Sequence, residues 1–186
     1  SSSSRGLGDV YKRQGGGHAG CEAAHASARF GAKTLLVTLS KSSIGQLSCN
    51  PAVGGIGKSH LAREVDALDG LICKVSDNSA LQRRKLNLSK GPAVHATRIQ
   101  TCRVNYRNYM QLELSRCNNL EIIEGEVISL IIDKNQVAGI KLANDIEIQC
   151  KSVVLTAGTF LGGLVHIGKK SFRAGRVGDR SACKLE

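Results

Sequence analysis

Apolar positions along this chain recur first at helical spacing and later at alternating spacing, and the change divides it. From His18 to Phe30 the small residues Ala19, Ala23, Ala24, Ala26 and Ala28 make a helix-favouring run with a slim face suited to close packing on a sheet. Gly31 is its stop. Thr34–Thr38 predicts a short buried strand. Lys58–Leu68 has helical period through Leu61, Val65 and Leu68, Gly70 breaks it, and a second short helix follows through Leu71, Ile72 and Val75. The longest helical pattern runs from Arg98 to Arg116, with Val104, Met110 and Leu114 among its apolar positions. Beyond it, strands are predicted over 120–123, 127–132, 137–142 and 146–150, joined by polar turns into an antiparallel meander. Ser152–Gly158 reads as a buried strand entering a glycine turn, and the basic tail from Lys169 has no apolar repeat.

Between the leader and the first helix stands Gly15-Gly16-Gly17-His18-Ala19-Gly20, which fits G-x-G-x-x-G. In a strand-to-helix turn of this kind Gly15 allows the sharp bend, Gly17 lets a phosphate approach the backbone, and Gly20 lets the helix pack tightly. Amides at the helix start then face an anion. Two features depart from the usual setting. Residues 1–14, SSSSRGLGDVYKRQ, supply no apolar strand ahead of Gly15, and their serine-rich start reads as an adaptor-like leader. After the second strand the chain reads Thr38-Leu39-Ser40-Lys41, with no carboxylate for a ribose. Gly57-Lys58-Ser59 resembles the end of a P-loop, but Ala52 occupies the position of its first glycine, so a Walker motif is rejected.

Composition narrows the class. A 186-residue chain with 41% hydrophobic residues suits one globular domain or part of a larger protein. No apolar run is long enough to span a bilayer, and a cytoplasmic setting is expected, with a mitochondrial one left open. Seven scattered cysteines without a C-x-x-C pair predict free thiols and no metal site. The net charge of +11, or +9 without the leader's Arg5, Lys12, Arg13 and Asp9, invites a polyanionic partner. Only 3% of residues are aromatic and none is Trp, which argues against a base-stacking surface. The run Arg83-Arg84-Lys85 reads as a solvated face ahead of a phosphate clamp.

The blocks Gly15–Gly20, Gly45-Gln-Leu-Ser-Cys-Asn-Pro-Ala-Val-Gly-Gly-Ile-Gly57, Glu64–Leu68, Ser89–Val94, Ala96–Arg98 and Val153–Leu161 together resemble the amino-terminal part of the MnmG family, also called GidA. The resemblance runs from Gly15 to the end, and the Ser48-Cys49-Asn50-Pro51 loop carries more of it than the glycine fingerprint does. It implies an α/β fold: an FAD-binding Rossmann-like domain of the glutathione-reductase type with an inserted antiparallel β-meander, truncated at both ends, occupying 15–186 after a leader of 1–14. It implies FAD held by Gly15, Gly16, Gly17, His18, Ala19 and Gly20, with Val127 near the adenine half, and Cys49 as a nucleophile toward a uracil ring.

The family installs the carboxymethylaminomethyl group on the wobble uridine of tRNA. By resemblance this brings in NADH and methylenetetrahydrofolate as co-substrates, an MnmE-type GTPase partner and a homodimer. The resemblance also implies that nicotinamide-binding and tRNA-binding regions lie beyond Glu186, so this chain alone is expected to be inactive. Two other readings are a folate- and FAD-dependent tRNA uridine methyltransferase and a non-catalytic basic RNA-binding module. The lost modified uridine separates the first from the family, and a flavin spectrum separates the second.

Overall fold

The structure, a computed structural model, describes residues 10–47 and 50–174. The chain runs β1 (Val10–Gln14), α1 (His18–Arg29), β2 (Lys33–Thr38), β3 (Ala52–Gly54), α2 (Lys58–Ala67), α3 (Leu71–Asn78), β4 (Ala80–Leu86), β5 (Ala96–Thr101) and α4 (Arg103–Ser115). It continues with β6 (Leu120–Glu124), β7 (Val127–Asp133), β8 (Gln136–Leu142), β9 (Glu147–Gln149), β10 (Ser152–Leu155), β11 (Leu164–Ile167) and β12 (Lys170–Arg173). Among the described residues no helix is long and apolar enough to cross a membrane.

Four parallel strands in the order β10-β1-β2-β6 make the main sheet. β2 is apolar through its centre because both its faces are covered, as parallel strands usually require. Leu36 enters a core with Cys21 and Ala24 of α1, Leu71 and Val75 of α3, and Tyr106, Met110 and Leu114 of α4. Leu35 and Val37 point the other way, into a second core with Val127, Ile140, Leu142 and Cys150. That second core is roofed by the antiparallel sheet β7-β8-β9. A third sheet, β3-β5-β4, is antiparallel and backed by α2 and α3.

Four expectations change. A strand does precede Gly15: residues 10–14 pair with β2 on one side and β10 on the other. Backbone donors and acceptors are the same for every non-proline residue, and here two neighbouring strands offer partners to a segment whose residue types do not announce a strand. The long helix begins at Arg103, not Arg98, because 96–101 pairs with both β3 and β4. β6 belongs to the main sheet and not to the meander, which has three strands. Gly125 carries the chain away, its N–H donating to Thr38 O at 2.9 Å. β10 pairs as a parallel strand, but at the edge of the sheet, with Leu155 50% exposed instead of buried.

Candidate cofactor turn and its surroundings

The carboxyl ends of all four parallel strands lie along one edge, where open α/β sheets place ligands. β1 delivers the chain to Gly15, whose φ of +116° is left-handed and whose N–H donates to Val37 O at 3.0 Å. A Cβ on Gly15 would stand 2.3 Å from Thr156 O, and one on Gly20 would stand 1.9 Å from Gly15 O. Both positions therefore exclude any side chain. Gly16 is buried under Ile44 and Thr38 and accepts a hydrogen bond from Gly45 N–H at 3.0 Å. Gly17 differs from these three, because nothing lies within 4 Å of where its Cβ would be.

Gly17 is also the N-cap of α1, where no side chain caps the helix and no acidic residue sits in the first turn. His18, Ala19 and Gly20 open that helix, Ala19 exposed and Gly20 buried. Free amides, an open approach at Gly17 and a helix dipole pointing outward together suit a negatively charged oxygen group. The His18 ring packs 5.6 Å from that of Tyr106, and its Nε2 is buried with no hydrogen-bond partner among the described residues. Burial first, and the charge of Lys58 second, hold the imidazole below its ordinary pKa of 6.5 and so keep it neutral. Burial likewise pushes the Cys21 thiol up to about 12, leaving it an inert small side chain whose Sγ donates to Gly16 O at 3.4 Å.

Side chains from distant parts of the chain brace this edge, and none of them belongs to the glycine motif. Thr156 Oγ1 donates to Gly15 O at 3.4 Å, linking the ends of β10 and β1. The Gln111 side-chain amide of α4 donates to Lys41 O at 3.3 Å and Ile44 O at 3.2 Å, holding the loop that covers Gly16. A carboxylate does reach the end of β2, but from β6: Glu124 Oε1 accepts the Lys41 N–H at 2.6 Å. Val127 begins β7 beside the same edge, with its side chain 4% exposed in the second core, so only its backbone can face a ligand.

Cys49 lies outside the described residues. The loop's exit is fixed, however, since Thr101 N–H and Oγ1 both donate to Pro51 O, at 2.7 and 3.1 Å. The described cysteines, Cys21, Cys73, Cys102, Cys117 and Cys150, are free thiols. No group of three His, Cys, Asp or Glu side chains converges on a metal site among the described residues. Of the basic run, Arg83 pairs with Asp77 at 3.0 Å, while Arg84 and Lys85 are exposed.

Comparison with known proteins agrees with this geometry. The model of the family described as Glucose inhibited division protein A matches residues 14–186. GidA from Aquifex aeolicus has 45% sequence identity and a TM-score of 0.90 over 95% of this chain, which spans 29% of that protein's length. The GidA-related protein from Thermus thermophilus is similar over 94% of this chain and 64% of its own at 18% identity and a TM-score of 0.63. PqsL from Pseudomonas aeruginosa, described as a probable FAD-dependent monooxygenase, gives 16% identity and a TM-score of 0.55 over 83% of this chain and 41% of its own. These two share the fold, an FAD-binding Rossmann-like α/β domain. With its family's model matched from residue 14 onward and a 45% identical relative aligned along 95% of it, the chain belongs to the GidA family.

Proposed function

We propose that this chain is the amino-terminal FAD-binding part of a flavoenzyme that modifies the wobble uridine of tRNA. The observation that carries the cofactor reading is Gly17: an uncapped helix start with open space in front of it, between two glycines that can hold no side chain. Gly15, Gly16, Gly17, His18, Ala19 and Gly20 would hold the pyrophosphate through backbone amides, and the backbone at Val127 would border the adenine half. FAD, when bound, supplies the redox chemistry, while the chain positions it and keeps water out.

Family membership supports tRNA as substrate. The finer reading is installation of the carboxymethylaminomethyl group, with methylenetetrahydrofolate as one-carbon donor, a reduced nicotinamide as electron source and an MnmE-type GTPase as partner of a cytoplasmic homodimer. Cys49 would add as thiolate to the uracil ring and make the neighbouring ring carbon nucleophilic. Residues 1–14 are proposed as a leader whose last five residues serve as strand β1 of the sheet, and 15–186 as a partial FAD-binding domain. As this chain spans 29% of the A. aeolicus protein, it is expected to modify no uridine alone.

The test uses the full-length protein. In Gly17→Val the added Cβ has nothing within 4 Å, so the variant is expected to fold and to lose bound flavin, read by visible absorbance against circular dichroism. Gly20→Val is expected to lose both, because its side chain would collide with the Gly15 carbonyl. Full flavin occupancy in Gly17→Val would sink the cofactor reading. Nucleoside analysis of tRNA from a deletion strain tests the substrate: unchanged carboxymethylaminomethyl uridine would sink that part.

A further inference from the structure

The antiparallel sheet β3-β5-β4 presents an arrangement that folding does not explain. Arg84 of β4 stands directly opposite Arg98 of β5, and Gly54 of β3 completes the same row. Directly opposed residues share a face, with Cβ atoms about 5 Å apart, and like charges there destabilise a sheet. Both arginines are exposed. Among the described residues neither forms an ion pair, although Arg83, next in sequence, does.

The two faces of this sheet are distinct. Thr97 and Arg83 reach the helices, Thr97 Oγ1 accepting from Arg63 of α2 at 3.1 Å and Arg83 pairing with Asp77 of α3. Val53, on that same face, is buried in the helical core. Arg84 and Arg98 therefore point away from the helices. Gly54 cannot fill the row, since its φ is +118° and an added Cβ would stand 1.9 Å from Thr97 O. The next row holds Gln82 opposite Gln100, with Ala52 alongside. The face is thus two guanidiniums beside a gap, followed by two amides.

We propose that this face binds the phosphodiester backbone of the RNA substrate, with Arg84 and Arg98 gripping phosphate and Gln82 and Gln100 contacting the adjoining sugar or base edges. Guanidinium forks match phosphate oxygens bidentately, which relieves the repulsion between the two cations. The strand that carries Arg98 also carries Thr101, which fixes Pro51 and hence the exit of the 48–51 loop. Arg98 and Thr101 are three residues apart, about 10 Å along a strand. RNA crossing the arginine row is therefore brought within a nucleotide or two of Pro51. The proposal rests on the tRNA reading above and adds the surface by which the backbone is held.

The test is tRNA binding by the full-length flavin-loaded protein across a potassium chloride series. Arg84→Ala and Arg98→Ala are each expected to weaken binding roughly tenfold. The pair is expected to reduce the slope of log affinity against log salt by about 1 for each phosphate no longer neutralised. Arg84→Lys/Arg98→Lys is expected to regain the slope and only part of the affinity, because an ammonium cannot make the fork. Lys134→Asn, which removes a charge at the β7–β8 turn where φ is +46°, serves as the control and is expected to bind as wild type. Arg98→Gln gives the same reading if the alanine pair folds poorly, with flavin content and circular dichroism as the check. Wild-type affinity and slope in the folded double variant overturn this proposal alone. Failure of the wild type to bind tRNA overturns it together with the function it rests on.

Discussion

His18 occupies the first helical position after the open glycine, and its neutrality is a property of the fold. Burial and Lys58 lower its pKa, and burial and Arg29 lower that of His25 on the same helix. For each, the unfolded chain binds the proton more readily than the folded one, so stability rises with pH between the lowered folded value and the ordinary 6.5. Their contribution is complete above pH 6.5 and is lost as the pH falls through the folded pKa. Chemical denaturation is therefore expected to show stability decreasing from pH 7 to pH 5, with His18→Asn flattening part of that decline and His18→Asn/His25→Asn flattening more of it. An unchanged profile in the double variant would contradict the assignment. The glycines around His18 are legible in the sequence because a backbone requirement at fixed spacing survives in any context. Thr156, Gln111 and Glu124 are not, since each reaches this edge from a distant part of the chain.

Helix α3 shows the same division between what a local pattern carries and what tertiary packing adds. Its apolar period marks it in the sequence, but its start has no side-chain cap of its own at Gly70. Glu22 of α1 supplies one from 49 residues away, Oε2 accepting Leu71 N–H at 2.9 Å and Oε1 accepting Ile72 N–H at 2.5 Å. Two orphan amides are satisfied and a negative charge faces the positive end of the helix. Glu22→Ala is expected to cost about 1–2 kcal/mol, with Glu22→Gln retaining part of it. Faster hydrogen exchange at the Leu71 and Ile72 amides would localise the loss. Equal stability of all three proteins would show the cap to be idle. The start of α4 is hidden in the sequence because the helical period carried by Tyr106, Met110 and Leu114 continues backward by chance through Cys102 into a segment of strand, whereas Val104 is 55% exposed. β6 imitates a meander strand because its two-residue link to β7 looks like a hairpin, whereas Gly125 and Glu126 bond instead to Thr38 and Ala143.

At the scale of the molecule, the two cores meet through one strand. Leu36 belongs to the helical core and Leu35 and Val37 to the meander core, so neither can loosen without disturbing β2. The carboxyl edge of that strand also anchors the cofactor turn through Val37 O and the start of the meander through Thr38 O. Stability on the two sides is therefore expected to be shared. Leu114→Ala empties part of the helical core far from the meander, at a cost of about 2–5 kcal/mol. Ile140→Val trims the other core by roughly 0.5–1.5 kcal/mol. If β2 couples the cores into one cooperative unit, each substitution accelerates exchange of the slow amides on both sides by a similar factor. Because the two sites share no partner, their costs should add within about 0.5 kcal/mol. Exchange accelerated only in α1, α3 and α4 by Leu114→Ala would instead show that the meander opens and closes independently of the helices. In that case Val37, whose side chain packs in the meander core, would stay in place, and the turn at Gly15 would retain its hydrogen bond to Val37 O while the helical core fluctuates.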